Sequence, residues 1–263
     1  RLIQLSLEED SCREVSDIGH TRIYRTDRLG MPLIETVTYP DMMNPDEVKE
    51  ACDYIRFLNR STGKVRTGIG AGRQDVNVSC RGGHRVEIKG VAHTRWIPEL
   101  THNECFRQWS LLQLRDRILE DIPDHKNWKT RHLELDFHDF KFTYPPLAET
   151  KKQQHKIIVI NLTGFRGALS HYTQPGKMFA DELTDRLKVI ACLEKPNMTH
   201  SEAFEQHITD KDWETIRKML KSNGQDAQVI LGGPEEDMAT AVETVEERCK
   251  MAFEGIPGET RKS

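Results

Sequence analysis

The sequence predicts an α+β chain in two parts. Three observations carry that reading: a β-hairpin at residues 72–90 with polar residues mid-strand, amphipathic helical stretches flanking it, and a second half where apolar strands alternate with amphipathic helices. At 263 residues the chain has room for one large domain or two ordinary ones. A composition of 37% hydrophobic and 30% charged residues suits a soluble protein with a real core.

In chain order, "LSLEEDSCRE" (5–14) reads as a strand with Ser6, Glu8 and Asp10 on one face and Glu9 opposite. A solvated turn has the same composition. "YRTDRLGMPLIETVTYPDMMNP" then sets Asp27, Glu35 and Asp41 around an apolar "MPLI", with no spacing that makes the three a site. "NPDEVKEACDYIRFLNRSTG" (44–63) predicts a helix. Asn44 caps it, Pro45 suits its first turn and Gly63 stops it; Val48, Ala51, Cys52, Ile55 and Leu58 share one face.

Gly68, Gly70 and Gly72 come next, followed by a strand. A Rossmann fingerprint would require a helix there, so this is a different glycine loop, one whose backbone N–H groups are open to phosphate. In the hairpin, a three-residue loop at Arg81–Gly83 pairs Val78 with Val86 and Val76 with Ile88 on an oily face. The opposite face then carries Asp75 with Lys89, Asn77 with Glu87 and Ser79 with Arg85. Asp and Asn are poor strand-centre residues. Carboxylates beside cations and a glycine loop are what Mg²⁺–nucleotide chemistry uses, although a plain solvent-exposed face would also look like this. From Arg56 to Arg95 the net charge is +7, leaving −11 on the rest; such a basic stretch fits a phosphate-bearing partner or a solvated surface.

A second helix is predicted at 99–119 with Phe106, Trp109, Leu112 and Leu119 inward. "RHLELDFHDFKF" (131–142) alternates like a strand, with Leu133, Leu135 and Phe137 on one face. His132, Glu134, Asp136 and His138 form the other, read as exposed rather than metal-binding. Residues 144–156 read as a polar joint. Beyond it lie a buried strand at 157–162 and a helix capped by Thr209 and Asp212 with Trp213, Ile216 and Leu220 inward. A strand at 226–233 and a last helix ending at Gly255 follow, the helix burying Ala241, Val242, Val245 and Cys249. Together they predict a compact two-layer α/β unit with Ile158, Ile160, Ile230 and these helix residues in its core. Six scattered cysteines without a Cys-x-x-Cys predict free thiols in a reducing compartment. No apolar run is long enough for a membrane span. Arg1 in place of Met reads as the start of a piece of something longer.

Four stretches, "LEEDSCR", "YRTDRLGMPLIETVTYPDMMNPDEV", "STGKVRTGIGAGRQDVNVSCRGGHRVEIKGV" and "GIPGETRKS", together resemble the B/E subunits of tRNA-dependent amidotransferases. The "RQDVNVS … RVEIKG" form is more similar to the archaeal E-type chain. "LTGFRGALSHYTQPGKMFADELTDRLK", "THSEAF" and "DAQVILGGPEEDMATAVE" resemble the GAD domain, which the E-type chain carries as an insertion and the B-type chain lacks. The resemblance implies a sheet-based catalytic cradle (glutamine synthetase/guanido kinase-like) over 1–130. An inserted two-layer GAD (DCoH-like) domain of four strands and two helices would cover 131–253, with 254–263 returning to the cradle.

It further implies a cytoplasmic ligase of protein biosynthesis that uses ATP and Mg²⁺ to turn Glu-tRNA(Gln) into Gln-tRNA(Gln). A partner glutaminase, asparaginase-like and D-type, would supply ammonia within a hetero-oligomer. Carried over residue by residue, Asp75, Glu87 and Glu9 are catalytic, and Glu8, Glu9, Asp75 and Glu87 hold metal. Arg73, Asn77, Arg85, Lys89, Gly70 and Gly72 bind the nucleotide. Ser6 stands where many B-type chains have a ligand His, and the family's upstream region and C-terminal helical and tail modules do not occur within these residues. The chain alone is therefore expected to be inactive. A noncatalytic tRNA-binding scaffold is the alternative, and a carboxylate–phosphate ligase unrelated to tRNA is a third.

Overall fold

A computed structural model describes residues 1–68, 70–140 and 142–262. It bears out the α+β class: helices and several separate sheets share the chain. The chain divides into two compact units, residues 1–107 with 258–263, and residues 108–257. The division at 107/108 falls inside a helix, Ile97–Asp121.

In the first unit, β1 (Leu2–Glu9) precedes β2 (Arg13–Ile18), β3 (Thr21–Arg25) and β4 (Pro32–Thr38). β1 pairs antiparallel with β4, and β2 with β3. α1 (Pro45–Ser61) starts as expected: Asn44 Oδ1 accepts the Glu47 N–H at 2.9 Å, and Pro45 occupies the first turn. Val48 and Cys52 pack on the hairpin core, but Leu58 from the same predicted stripe is exposed.

β5 (Gln74–Val78) and β6 (Val86–Val91) form the hairpin. Val76 faces Ile88, Asn77 faces Glu87 and Val78 faces Val86, the register the alternation demands. Val76, Val78, Val86 and Ile88 are buried; each contributes about 1.5–3 kcal/mol relative to exposure. A one-residue slip would forfeit all four. The ladder stops at Val78 and Val86, and the tip closes through Gly83 N–H to Cys80 C=O at 2.9 Å, with Gly82 at φ +84°. β13 (Glu259–Lys262), far along the chain, adds to β6 as a parallel third strand.

α2 (Ile97–Asp121) corrects the predicted face. Ile97, Leu111, Leu114 and Ile118 are the buried apolar residues, together with Thr101, Glu104, Arg107, Gln108 and Ser110, while Trp109 is exposed. Counting apolar residues alone misses a stripe whose middle turns are polar.

In the second unit, β7 (Arg131–Glu134), β8 (Lys156–Leu162), β11 (Met198–His200) and β12 (Ala227–Gly233) form an antiparallel sheet in the order β11-β12-β8-β7. β9 (Tyr172–Gln174) and β10 (Lys177–Met178) make a separate small ribbon. β7 is shorter than predicted. Asp136 accepts the His138 N–H at 2.8 Å and starts a turn, so Asp136 and His138 leave the strand, and Lys141 lies outside the described residues.

The predicted joint holds a helix, α3 (Pro145–Lys152), because its prolines sit in the first turn where no N–H is needed. α3 and α5 (Asp210–Leu220) cover one side of the sheet: Leu147, Trp213, Ile216 and Leu220 pack with Ile157, Val159 and Ile230. α4 (Phe179–Ile190) and α6 (Glu235–Glu254) lie on the other. A Cβ at Gly232 would strike Thr150 of α3, whereas one at Gly233 would strike Leu193 after α4. The unit is therefore three-layered, with four strands but more than two helices; the expected two layers are corrected by these opposed contacts. Thr209 caps α5 and Gly255 ends α6 as predicted.

Burial pushes the pKa of His200 below its ordinary 6.5, and its Nδ1 accepts the Glu202 N–H at 3.3 Å. His171 is likewise lowered by burial. The unfolded chain then binds these protons more tightly, so their stabilisation is complete above 6.5 and is lost as pH falls below it. The melting temperature is predicted to fall as pH drops below 6.5, and His200→Gln should flatten the fall. Calorimetry on either side of that pH checks this; an unchanged pH profile in the variant would contradict it.

Candidate functional site

The polar side of the β5–β6 hairpin gathers the charged groups of the first unit. Between Val76/Ile88 and Gln74/Val91 the register shifts by one, and Gly90, at φ +73°, makes the bulge. The bulge turns the Gly90 N–H onto Asp75 Oδ1 at 2.8 Å, while Lys89 Nζ reaches Asp75 Oδ2 at 3.1 Å. Lys89 also lies 3.5 Å from Glu87 Oε1. Its hydrogen bond with Asp75, then the Asp75 charge, raise its pKa. Arg85 Nη1 donates to Asn77 Oδ1 at 2.9 Å. Glu87 is the less exposed carboxylate, at 21% against 43% for Asp75.

β1 brings the next carboxylates. Ser6 faces Glu35 across β4, and its Oγ donates to Glu35 Oε2 at 3.2 Å. The neighbouring Glu35 carboxyl raises the Glu8 pKa. Glu8 further feels Lys89, which lowers its pKa, and Asp75, which raises it. Asp75 and Glu87 flank Lys89, with Glu8 close enough to feel both Lys89 and Asp75. These are the hard oxygen donors Mg²⁺ takes rather than those of a thiolate-seeking metal, but they are not drawn into one coordination shell.

Not every predicted residue joins them. Glu9 follows Glu8 in an extended strand and takes the opposite face of β1, where it is exposed. Asp10, on the predicted Glu8 face, is buried between Arg28 at 3.2 Å and Arg73 at 3.5 Å. Arg73 is therefore held by Asp10 and not by the hairpin carboxylates. Gly68 and Gly70 have φ +116° and +78°, conformations that need glycine, whereas Gly72 does not; Ile69 lies outside the described residues. Asp41 is tied to Arg1, whose hydrogen bonds hold its carboxyl well below the usual range.

Two residues escaped sequence reasoning. Glu35 could have been found only by pairing β1 with β4. Thr260 reaches the site through a parallel strand, where its Oγ1 donates to Glu87 Oε2 at 3.2 Å.

Residues 1–159 match the family model described as the GatB/GatE catalytic domain. The whole chain is 35% identical over 263 residues to the E-type chain of glutamyl-tRNA(Gln) amidotransferase from Methanocaldococcus jannaschii, covering 41% of that protein. The corresponding E-type chains of Sulfurisphaera tokodaii and Pyrococcus furiosus are each 35% identical over 98% of this chain and 41% of their own length. The chain therefore spans about two fifths of the curated relatives it matches.

If the neighbouring Glu35 is what raises the Glu8 pKa, removing its charge must lower it. Glu35→Gln is predicted to move the Glu8 titration down toward ordinary carboxylates, read by carboxyl-carbon NMR. An unmoved Glu8 curve would contradict the pairing.

Proposed function

The chain belongs to the GatB/GatE catalytic domain family, and from that premise we propose that it is the nucleotide- and metal-binding part of a tRNA-dependent amidotransferase. The reaction is ATP-dependent conversion of Glu-tRNA(Gln) to Gln-tRNA(Gln). The single observation that carries the reading is the convergence of Asp75, Glu87 and Glu8 with Lys89 in the first unit.

The side-chain carboxylate of tRNA-borne glutamate attacks the γ-phosphorus of ATP, ADP leaves, and a γ-glutamyl phosphate forms. Ammonia then attacks the acyl carbon, phosphate departs and a proton is lost, leaving the amide. The first step brings anion against anion, so its barrier is mostly electrostatic. Mg²⁺, held by Glu8, Glu35, Asp75 and Glu87, would supply charge neutralisation at the phosphates. Lys89 offsets charge that develops as the phosphoryl group moves. Asn77 and Arg85 would flank the nucleotide, and Gly70 and Gly72 would offer backbone N–H groups to it. Arg73 remains a supporting residue through Asp10, and Glu9 takes no part on this face. Residues 131–253 are the GAD-like insertion, 1–130 with 254–263 belong to the cradle, and a partner glutaminase is the ammonia source in a cytoplasmic hetero-oligomer.

In the full-length protein with its glutaminase partner, Asp75→Asn should lower ATP-dependent Gln-tRNA formation by roughly 10²–10³. Glutamine hydrolysis at the partner's site should persist, and Glu134→Gln in the other unit should be nearly silent. Thin-layer or mass-spectrometric assay of the aminoacyl group checks this; a loss within about twofold would discard the hairpin as the active face. A scaffold would instead bind tRNA but neither ATP nor Mg²⁺, which calorimetry distinguishes.

A further inference from the structure

We propose that Thr260 is a positioning residue that fixes the Glu87 carboxylate for a hard cation, and that the Arg107–Glu259 ion pair holds Thr260 in place. The inference rests on the reading of this face as a Mg²⁺–nucleotide site.

Three geometric facts carry it. Thr260 stands beside Glu87 in the parallel β6–β13 register, and its hydroxyl donates to Oε2 at 3.2 Å while Lys89 lies 3.5 Å from Oε1. Each carboxylate oxygen thus has one neighbour, and the lone pairs left over are directed rather than free to rotate. The two neighbours differ in kind. Lys89 brings a positive charge that competes with a cation. A threonine hydroxyl orients the carboxylate without neutralising it, and the β-branched side chain is stiff about χ1.

The second fact concerns the other side of β13. Glu259 and Thr260 alternate, so one faces away from the polar surface when the other faces it. Glu259 is ion-paired with Arg107, whose guanidinium is fully buried and also bonded to Glu104 at 3.1 Å; Arg261 reaches the same Glu259 oxygen at 3.1 Å. Third, a one-residue slip of β13 would carry Glu259 to the polar face and leave buried Arg107 with only part of its compensation, a costly state. A short edge strand of four residues is thereby locked in the one register that sets Thr260 against Glu87.

The test uses the full-length protein with its partner and Mg²⁺·ATP as the probe, read by calorimetry, with steady-state kinetics and thermal unfolding alongside. Thr260→Val keeps shape and removes the hydroxyl. It should weaken Mg²⁺·ATP binding about tenfold, the scale of one lost hydrogen bond to a charged group, and leave the melting temperature within a few degrees. Thr260→Ser should restore most of the affinity, which a packing role would not. Glu259→Gln should weaken binding in the same direction by loosening β13. If Thr260→Val binds Mg²⁺·ATP as the parent does while Glu87→Gln does not, the positioning role is overturned and the site stands. If both bind as the parent does, the site itself falls with it.

Discussion

The arrangement of the first unit depends on one constraint, the register of β5 against β6. Val76, Val78, Val86 and Ile88 can all be buried only when they share a face, and a period of two then forces Asp75, Asn77, Glu87 and Lys89 together on the other. Residues that oppose strand propensity are tolerated because their oily neighbours outweigh them. The Gly90 bulge refines the result by giving Asp75 a backbone donor in addition to Lys89. Each later addition builds on this hairpin. β13 extends it, and α1 packs Val48 and Cys52 on its apolar side.

Electrostatics follows from that packing. The face carries several carboxylates, and where Glu8 lies beside Glu35 their like charges raise the Glu8 pKa. Such a surface is better suited to a cation than to bare phosphate, and phosphate is drawn there only through one. Arg73, which the family resemblance offers to the nucleotide, instead lies with Arg28 against the buried Asp10 carboxylate, each cation near a different oxygen.

What could be read from the sequence divides along physical lines. Local periodicity gave the hairpin register, the Asn44 and Thr209 caps and the inward faces of α5 and α6, since each is written in a short local stretch. The phase of α2 was illegible because its buried stripe runs through Thr101, Glu104, Arg107 and Gln108, whose partners lie elsewhere in the chain. α3 was hidden by prolines that look like a break, and β7 was overextended because Asp136 starts a turn through its own side chain. On the hairpin's polar face, the placing of Asp75 and Glu87 together was legible from one hairpin. Glu35 and Thr260 were not, since they arrive by pairings 29 and 173 residues apart. Glu8 and Glu9 could not share a face once their stretch was a strand.

The central claim is that the hairpin's polar face is where a divalent cation and nucleotide meet. The most direct test places Mn²⁺·ATP in the full-length protein and follows paramagnetic broadening residue by residue. The account predicts that the signals of Asp75, Glu87 and Glu8 broaden first, with Glu9 and Glu134 affected much less. Broadening centred instead on the acidic start of α6, at Glu235 and Glu236, with the hairpin unaffected, would contradict it.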